Sequence, residues 1–243
     1  SKMTGFFNCD SSVVGDAFRR KGHKAFQKLK EDFFKKAIDN LSTFEWQHAT
    51  ADYKKVLDKG IKGIVEEIDE ALKMHTEAEE IEFLTALKSV ANTLIAWARK
   101  CSGKVLEFSK TVENKEHKEN LVALSKALLY VPENKPKSFY EAVLTIYVCF
   151  SAALDSVGTL DRYFRPFYEH DIEYGVITRE EAKEYLQELF LMLQAATPVT
   201  SQNFTRGGES HFCIGGYLPD GTDGYCDLSE LILESLMELP TCI

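Results

Sequence analysis

Residues 138–150, with the sequence SFYEAVLTIYVCF, carry apolar side chains on nearly every side of a helix. Ser138 and Glu141 have the spacing of a capping box, which predicts that a helix begins here. A helix that is apolar all round is stable only when other elements cover most of its surface. The chain is therefore expected to fold around a deep interior.

Amphipathic periodicity precedes this segment. Apolar residues recur at helical spacing in residues 53–74 and again in residues 81–98. The sequence CSGK at 101–104 predicts a break after the second of these helices, because serine and glycine are common in turns. A shorter apolar stripe ends before Pro132. We expect antiparallel helices packed together and joined by short loops.

The sequence after this region changes in character. Thr178 and Glu181 form a second capping box, which predicts an amphipathic helix that stops before Pro198. Residues 201–224 contain six glycines, which is too many for a helix. Within them, HFCIGGY predicts a short buried strand and LPDGTDG predicts a turn. A last helix is expected from about Ser229.

The charge and hydropathy of the chain exclude several classes of protein. A net charge of −9 argues against a nucleic-acid partner and against binding to an anionic membrane surface. No apolar run approaches the roughly 18–20 residues that span a bilayer. The N-terminal residues lack the continuous apolar centre of a secretory signal. We expect a cytoplasmic protein.

Six cysteines lie far apart and form no CxxC motif, so neither a metal site nor a disulfide framework is predicted. Cys149 and Cys213 have apolar neighbours, and we expect both to be small buried core residues. Cys213 has His211 two residues away, which leaves a reactive thiol as the alternative. No cysteine is assigned a catalytic role.

Three polar groups are candidates for a binding site. In FEWQHATADY, His48 and Asp52 could handle a proton or bind a substrate, although spacing favours Asp52 as a helix cap. In SQNFTRGG, Gln202 and Asn203 could approach a ligand beside glycine, or satisfy each other at a strand end. Both interpretations of this second group stay open.

The third group lies in DSVGTLDRYFRPFYEHD. Asp155, Asp161, Arg162 and Arg165 could line a polar cavity with aromatic walls. They could equally form a buried arginine–aspartate network inside an aromatic core, which is a common structural arrangement. The sequence does not favour one interpretation over the other.

Four stretches of the chain follow one another in a recognisable order: QHATADYKKVLDKGIKGIVEEIDEAL, VPENKPKSFYEAVLTIYVCF, GTLDRYFRPFYEHDIEYGVITREEAKEYLQELFLML and QNFTRGG…IGGYLPDGTD…LSELILESL. Together they cover about residues 47–239. In this order they resemble the pyruvate formate-lyase-like glycyl radical enzymes. The resemblance is nearer to the dehydratase and C–N or C–C lyase branch than to pyruvate formate-lyase itself.

The resemblance implies an α/β fold that is predominantly helical in this portion. The family folds as a ten-stranded α/β barrel made of two parallel five-stranded halves, and this chain would supply helices and part of the first half-barrel. We divide the chain into a divergent N-terminal helical segment, residues 1–46, and an incomplete pyruvate formate-lyase-like domain, residues 47–243. The apolar helix would then pack around the barrel.

The resemblance also implies radical chemistry on a small polar organic substrate. In the family, a radical-SAM activase removes a hydrogen atom from a C-terminal glycine. The glycyl radical oxidises a cysteine at the centre of the barrel, and the thiyl radical takes hydrogen from the substrate. Such chemistry requires a cavity that excludes water and oxygen. No cofactor would be bound by this chain, and family habit suggests a homodimer.

This sequence departs from the family in two places that matter for activity. The catalytic cysteine of the family lies in a Gly-Cys-x-Glu loop, and its radical glycine in an Arg-Val-x-Gly-Tyr-like loop. Neither motif occurs in the 243 residues. We expect an internal or N-terminal portion, or a degenerate relative, that is unable to catalyse the reaction alone.

The site residues are transferred through the motifs that match. His48 matches a histidine that lies near the substrate in several dehydratases, although Gln47 replaces the usual glycine before it. The family's SPGRxDQY is SVGTLDRY here, so that Thr159 and Arg162 depart from it. The predicted substrate-binding residues are, with the first two foremost, His48, Asp155, Asp52, Asp161, Arg162, Gln202 and Asn203.

Two other interpretations compete with this one. A truncated, non-catalytic homologue could act as a helical binding or scaffold module. An exposed apolar face would favour a portion of a larger enzyme, whereas a charged and well-capped surface would favour a stand-alone module. The third interpretation is a plain helical protein whose resemblance arises by chance.

Overall fold

The computed structural model describes residues 51–152, 156–196 and 211–239, which contain seven helices and two short strands. The elements in chain order are α1 (Tyr53–Met74), α2 (Ala78–Ser109), α3 (Lys115–Tyr130), α4 (Phe139–Ala152), β1 (Gly158–Thr159), α5 (Leu160–Glu173), α6 (Arg179–Ala196), β2 (Phe212–Cys213) and α7 (Asp227–Met237). No helix in this described part is long and apolar enough to span a bilayer.

Helix α1 is kinked at Gly60, where the backbone has φ 69° and ψ 168°. The kink frees two main-chain N–H groups from their helical partners. Ile61 N–H donates to the carbonyl of Pro132, and Lys62 N–H donates to the carbonyl of Glu133, both at 2.8 Å. The chain between α3 and α4 therefore completes the hydrogen bonding of α1 at this point.

Helix α2 runs without interruption through CSGK, so the predicted break is wrong. The Ser102 hydroxyl is buried and donates to the carbonyl of Ser125 on α3 at 2.7 Å. The Ser125 hydroxyl returns a bond to the carbonyl of Ser102 at 3.0 Å. Gly103 faces open space, so it costs only its own conformational freedom, about 1 kcal/mol. Packing against α3 outweighs that local preference.

Helix α4 lies at the centre of the molecule, as its apolar sequence predicts. Phe139, Ala142, Val143 and Ile146 are completely inaccessible to solvent. The predicted start is confirmed, because the Ser138 hydroxyl accepts from the N–H of Glu141 at 3.2 Å. The helix packs against α1, α5 and α6, which cover most of its surface.

A second cap on α4 comes from a residue distant in sequence. Asp171 on α5 is 1% exposed, and its carboxylate accepts from the main-chain N–H of Phe139 at 2.7 Å. The same carboxylate contacts Nδ1 of His170 at 2.9 Å. A negative charge at a helix N-terminus is stabilising, so Asp171 fixes α5 against the start of the central helix.

The two strands form a parallel pair, in which Gly158 lies opposite Phe212 and Thr159 opposite Cys213. Helices α5 and α6 make the connection between them. The Phe212 ring stacks on Phe190 of α6, with ring centroids 5.3 Å apart. Helix α6 begins at the predicted capping box, in which Thr178 and Glu181 exchange hydrogen bonds. The pair is thus packed on α6.

The strand predicted in HFCIGGY is present but is not buried throughout. Phe212 is half-buried, and Cys213 is exposed. The turn predicted in LPDGTDG is confirmed, because Leu218 N–H donates to the carbonyl of Thr222 and Tyr217 pairs with Asp223. The last helix, α7, begins at Asp227, two residues before the predicted start.

Candidate functional site

Asp161 joins three parts of the fold through one buried carboxylate. It lies in the first turn of α5 and is fully inaccessible to solvent. One oxygen accepts from the main-chain N–H of Arg162 at 2.8 Å. The other accepts from the N–H of Gly215 and from the hydroxyl of Ser229, both at 2.6 Å. Asp161 therefore holds the segment after β2 and the start of α7 against α5.

Arg162 holds the same glycine-rich segment from its other side. Its Nη2 donates to the carbonyls of Gly215 and Tyr217, each at 2.8 Å. A side chain at Gly216 would lie 3.3 Å from this nitrogen, and Gly216 itself has φ 77°. The paired glycines thus let the backbone fold around the guanidinium. The buried Nε of Arg162 has no hydrogen-bond partner among the described residues.

The aromatic residues of α5 divide between core and surface. Phe164 and Tyr168 are buried, and the rings of Phe139 and Phe164 meet edge to face at 5.6 Å. Tyr163 and Phe167 instead line a groove of about 550 Å³. The segment therefore builds a buried hydrogen-bond network around Asp161 and also one wall of a groove. Among the described residues no arginine side chain pairs with Asp161, since Arg162 donates to carbonyls and Arg165 pairs with Glu169.

The groove carries more positive than negative charge. Its lining residues are Lys54, Leu57, Asp58, Tyr130, Lys135, Pro136, Lys137, Arg162, Tyr163, Pro166, Phe167 and His170. Lys54 pairs with Asp58, and Nζ of Lys137 lies 4.2 Å from the centre of the Tyr130 ring. Of the predicted site residues in the described part of the chain, Arg162 alone reaches this groove.

Asp52 caps helix α1. Its carboxylate accepts from the main-chain N–H of Lys55 at 3.0 Å, which is the structural role that the spacing favours. His48, Asp155, Gln202 and Asn203 lie outside the described residues. The substrate-binding role of all seven predicted residues stays a prediction.

Sequence reasoning missed an ion-pair network between α6 and α7. Arg179 donates two hydrogen bonds to the carboxylate of Glu234, at 2.6 and 3.0 Å. The Tyr168 hydroxyl donates to Asp227 at 2.6 Å. Burial and the Asp227 carboxylate raise the pKa of Tyr168, so its hydroxyl stays protonated. Residues so far apart in sequence leave no local signal of their pairing.

The cysteines differ from one another in exposure. Cys149 is buried in the core, as predicted, and burial raises the pKa of its thiol to about 12. Cys213 is exposed, so the prediction of a core cysteine is wrong there. The apolar neighbours of Cys213 indicate a strand, but alternate residues of a strand point to opposite faces. Phe212 packs on α6, and Cys213 points the other way.

This difference predicts the order of thiol modification. At pH 8 we expect a maleimide or iodoacetamide reagent to modify Cys213 within minutes, because the thiol is exposed. Cys149 should react only after denaturation, because its high pKa leaves almost no thiolate. Mass spectrometry of the two tryptic peptides measures both rates, and Cys213→Ser is the control for peptide assignment. Equal rates in the folded protein would contradict the placement of Cys149.

The described residues contain no group of three or more His, Cys, Asp or Glu side chains that could hold a metal ion. What the arrangement offers is an α/β scaffold with a parallel strand pair, a glycine-rich segment fixed by Asp161 and Arg162, and an exposed strand face carrying Cys213.

Comparison with known proteins gives the family. Residues 14–242 match the family described as pyruvate formate lyase-like. The chain belongs to this family. The resemblance noted from the sequence motifs is thereby confirmed, and so is the predominantly helical α/β fold of a partial barrel.

Two curated relatives illustrate the range of the pyruvate formate lyase-like family. The isethionate sulfite-lyase of Oleidesulfovibrio alaskensis is 32% identical over 235 residues, which are 88% of this chain and 28% of that enzyme. The trans-4-hydroxy-L-proline dehydratase of Clostridioides difficile is 24% identical over 199 residues, which are 75% of this chain and 25% of that enzyme. The chain spans about a quarter of the length of these relatives.

A solved structure supports the same assignment. The fold is similar to that of a glycyl radical enzyme from Archaeoglobus fulgidus, with a TM-score of 0.70 and 27% identity. The similarity covers 78% of this chain and 27% of that one. The helices and the parallel strand pair therefore correspond to a portion of a glycyl radical enzyme fold.

Proposed function

We propose that this chain is a portion of a glycyl radical lyase or dehydratase that acts on a small polar organic substrate and does not catalyse the reaction alone. The match to the family over residues 14–242 carries the proposal. The identity to isethionate sulfite-lyases and to a hydroxyproline dehydratase supports the reaction class, in which a bond at a small oxygenated carbon skeleton is broken.

The strand pair supports a portion of a barrel over a stand-alone module. Parallel sheets occur almost only with both faces covered, and a two-stranded sheet has little stability of its own. Among the described residues, α6 covers one face through Phe190, whereas Cys213 on the other face is exposed. A barrel interior on that second face would explain why a parallel pair persists there.

The roles of individual residues follow from this proposal. His48 and Asp155 contact the substrate, and Asp52, Gln202 and Asn203 support them. Asp161 and Arg162 position the glycine-rich segment after β2, which is consistent with their hydrogen bonds. The radical glycine and the catalytic cysteine are supplied by another part of the complete enzyme, since neither of their loop motifs occurs in these 243 residues. A radical-SAM activase, a homodimer and a cytoplasmic location complete the proposal.

The first experiment is to sequence the encoding gene on both sides of this segment. The proposal expects the reading frame to continue into a Gly-Cys-x-Glu loop and later into a glycine-radical loop. The complete protein would then be activated anaerobically and examined by electron paramagnetic resonance for a glycyl radical. A stop codon directly after Ile243, with no radical in the protein that is expressed, would overturn the proposal and favour the binding module.

The site assignment is tested in the complete enzyme. Isethionate and trans-4-hydroxy-L-proline are the first substrates to assay, because relatives of this chain act on them. His48→Gln and Asp155→Asn should each lower kcat/KM by roughly 10- to 150-fold, the equivalent of a hydrogen bond to a charged group. Glu107→Gln, an exposed substitution on α2 outside the groove, is the control. Unchanged kcat/KM in both site variants would contradict the assignment.

A further inference from the structure

Helix α2 presents an apolar stripe that is exposed in the described part of the chain. Phe83, Leu87, Val90 and Trp97 follow one another at spacings of four, three and seven residues, which places them on one side of a helix. Phe83 is 64% exposed and Val90 is 68% exposed. The stripe is about 21 Å long at the rise of an α-helix.

The stripe is not the side of α2 that packs on its neighbours. Ala91, Leu94, Ile95 and Ala98 contribute to the contacts of α2 with the core. Phe83, Leu87, Val90 and Trp97 lie beside these residues but remain exposed. A row of large exposed apolar side chains of this length marks an interaction surface. Its spacing is the heptad seam that a second helix occupies in a coiled coil.

The N-terminal end of the stripe is acidic. Glu77, Glu79 and Glu82 lie at or near the start of α2, are exposed, and form no ion pair with other described residues. Glu80 beside them pairs with His75. A partner for this surface is therefore expected to combine an apolar side with positive charge.

Residues 18–37 of this chain have both properties. Phe26, Leu29, Phe33 and Ala37 are spaced three, four and four residues apart, which predicts one apolar side of a helix. Within residues 19–36, eight side chains are lysine or arginine and two are acidic, so the segment is basic in an otherwise acidic protein. Twenty helical residues would extend about 30 Å, enough to cover the stripe.

We propose that residues 18–37 form an amphipathic helix that packs along the α2 stripe, with their basic residues near Glu77, Glu79 and Glu82. Covalent connection favours this occupant over a separate molecule. The segment ends 16 residues before α1 begins, so its effective concentration at α2 is that of a short tether. The interaction goes beyond the radical chemistry proposed above and does not depend on it.

Trp97 provides a direct measurement, because it lies in the stripe and the chain has one other tryptophan, Trp46. In a Trp46→Phe background, Trp97 reports whether the stripe is covered. The proposal expects blue-shifted emission and low acrylamide quenching at micromolar and lower concentrations. Phe33→Asp should undock the segment, shift the emission to longer wavelength and raise the quenching constant. Circular dichroism checks that α2 itself stays folded.

A matched variant separates docking from a general effect of charge. Gln27→Asp adds the same charge on a different side of the segment and should leave Trp97 emission unchanged. The charge reversal Glu79→Lys with Glu82→Lys should weaken docking and raise quenching. Protection of Trp97 that depends on protein concentration would show that a second copy is the occupant and would overturn the proposal. Equal quenching in the parent and in Phe33→Asp would overturn it as well.

Discussion

The variant Gly60→Ala is expected to lose about 2–6 kcal/mol of unfolding free energy. The backbone at Gly60 has φ 69° and ψ 168°, a conformation that is almost exclusive to glycine. A methyl group there would lie 2.4 Å from the carbonyl oxygen of Glu133 and 2.7 Å from Cα of Asn134. Since these are main-chain atoms, no side-chain rotation relieves the contact.

The cost has two physical parts. Forcing alanine into this conformation costs about 1–3 kcal/mol of backbone strain. Moving residues 132–134 away also breaks the hydrogen bonds from Ile61 and Lys62 to the carbonyls of Pro132 and Glu133. Each of these is worth about 0.5–1.5 kcal/mol. Urea unfolding followed by circular dichroism measures the sum as a lower midpoint at unchanged slope.

Gly103→Ala is the matched control for Gly60→Ala. Gly103 is an exposed glycine inside α2, and a methyl group added there would have no neighbour within 4 Å. This substitution should stabilise the protein by about 0.5–1 kcal/mol, because alanine favours the helix. If Gly60→Ala cost less than about 1 kcal/mol, the kink and its contact with residues 132–134 would be misplaced.

The sequence predicts best where one element determines its own structure. The capping boxes at Ser138 and Thr178 involve residues three apart, and both helices begin where these motifs place them. The apolar sequence of α4 likewise predicts its burial, because a helix with apolar side chains on all sides is stable only when other elements cover it. The fold class follows from these local signals together with the order of the family motifs.

The prediction of a helix break at CSGK fails for a different reason. Serine and glycine weaken a helix locally, but Ser102 exchanges hydrogen bonds with Ser125 on the next helix, 23 residues away. The stabilisation of α2 therefore comes from tertiary packing, which a local pattern does not contain. Cys213 is a second failure of a local pattern. Its apolar neighbours predicted burial, but the position of α6 determines which face of the strand is covered, and α6 covers the face that carries Phe212.

The candidate site is the part least accessible to sequence reasoning. Asp161 and Arg162 stood as either cavity or network residues, and the structure shows hydrogen-bond partners for both, while Arg162 also lines the groove. The bonds of Asp161 to Gly215 and Ser229 cross 54 and 68 residues of sequence. Asp52 was identified as a cap because its partner, Lys55, is three residues away. A side-chain role could thus be predicted where the hydrogen-bond partner is a few residues away, and could not where the partner is distant in sequence.

Replacement of Asp161 by alanine is expected to lower the free energy of unfolding by about 3–5 kcal/mol. The carboxylate is fully buried and accepts three hydrogen bonds. Without it, the Gly215 N–H and the Ser229 hydroxyl lose their acceptor inside the protein. Asp161→Asn should recover little of this lost stability. Both carboxylate oxygens accept hydrogen bonds, so the amide nitrogen of asparagine would face at least one N–H or O–H donor. Urea unfolding of both variants measures these costs.

A double-mutant cycle separates the lost hydrogen bond from the loss of the side chain. Ser229→Ala removes one donor, so the double variant with Asp161→Ala should cost less than the sum of the two single changes. Asp58→Ala is the control, since its pair with Lys54 is exposed and should be worth at most about 0.5 kcal/mol. Strict additivity in the cycle would contradict a direct bond between Asp161 and Ser229. Because the same carboxylate holds the segment after β2, a measured coupling would identify Asp161 as a positioning residue for that segment.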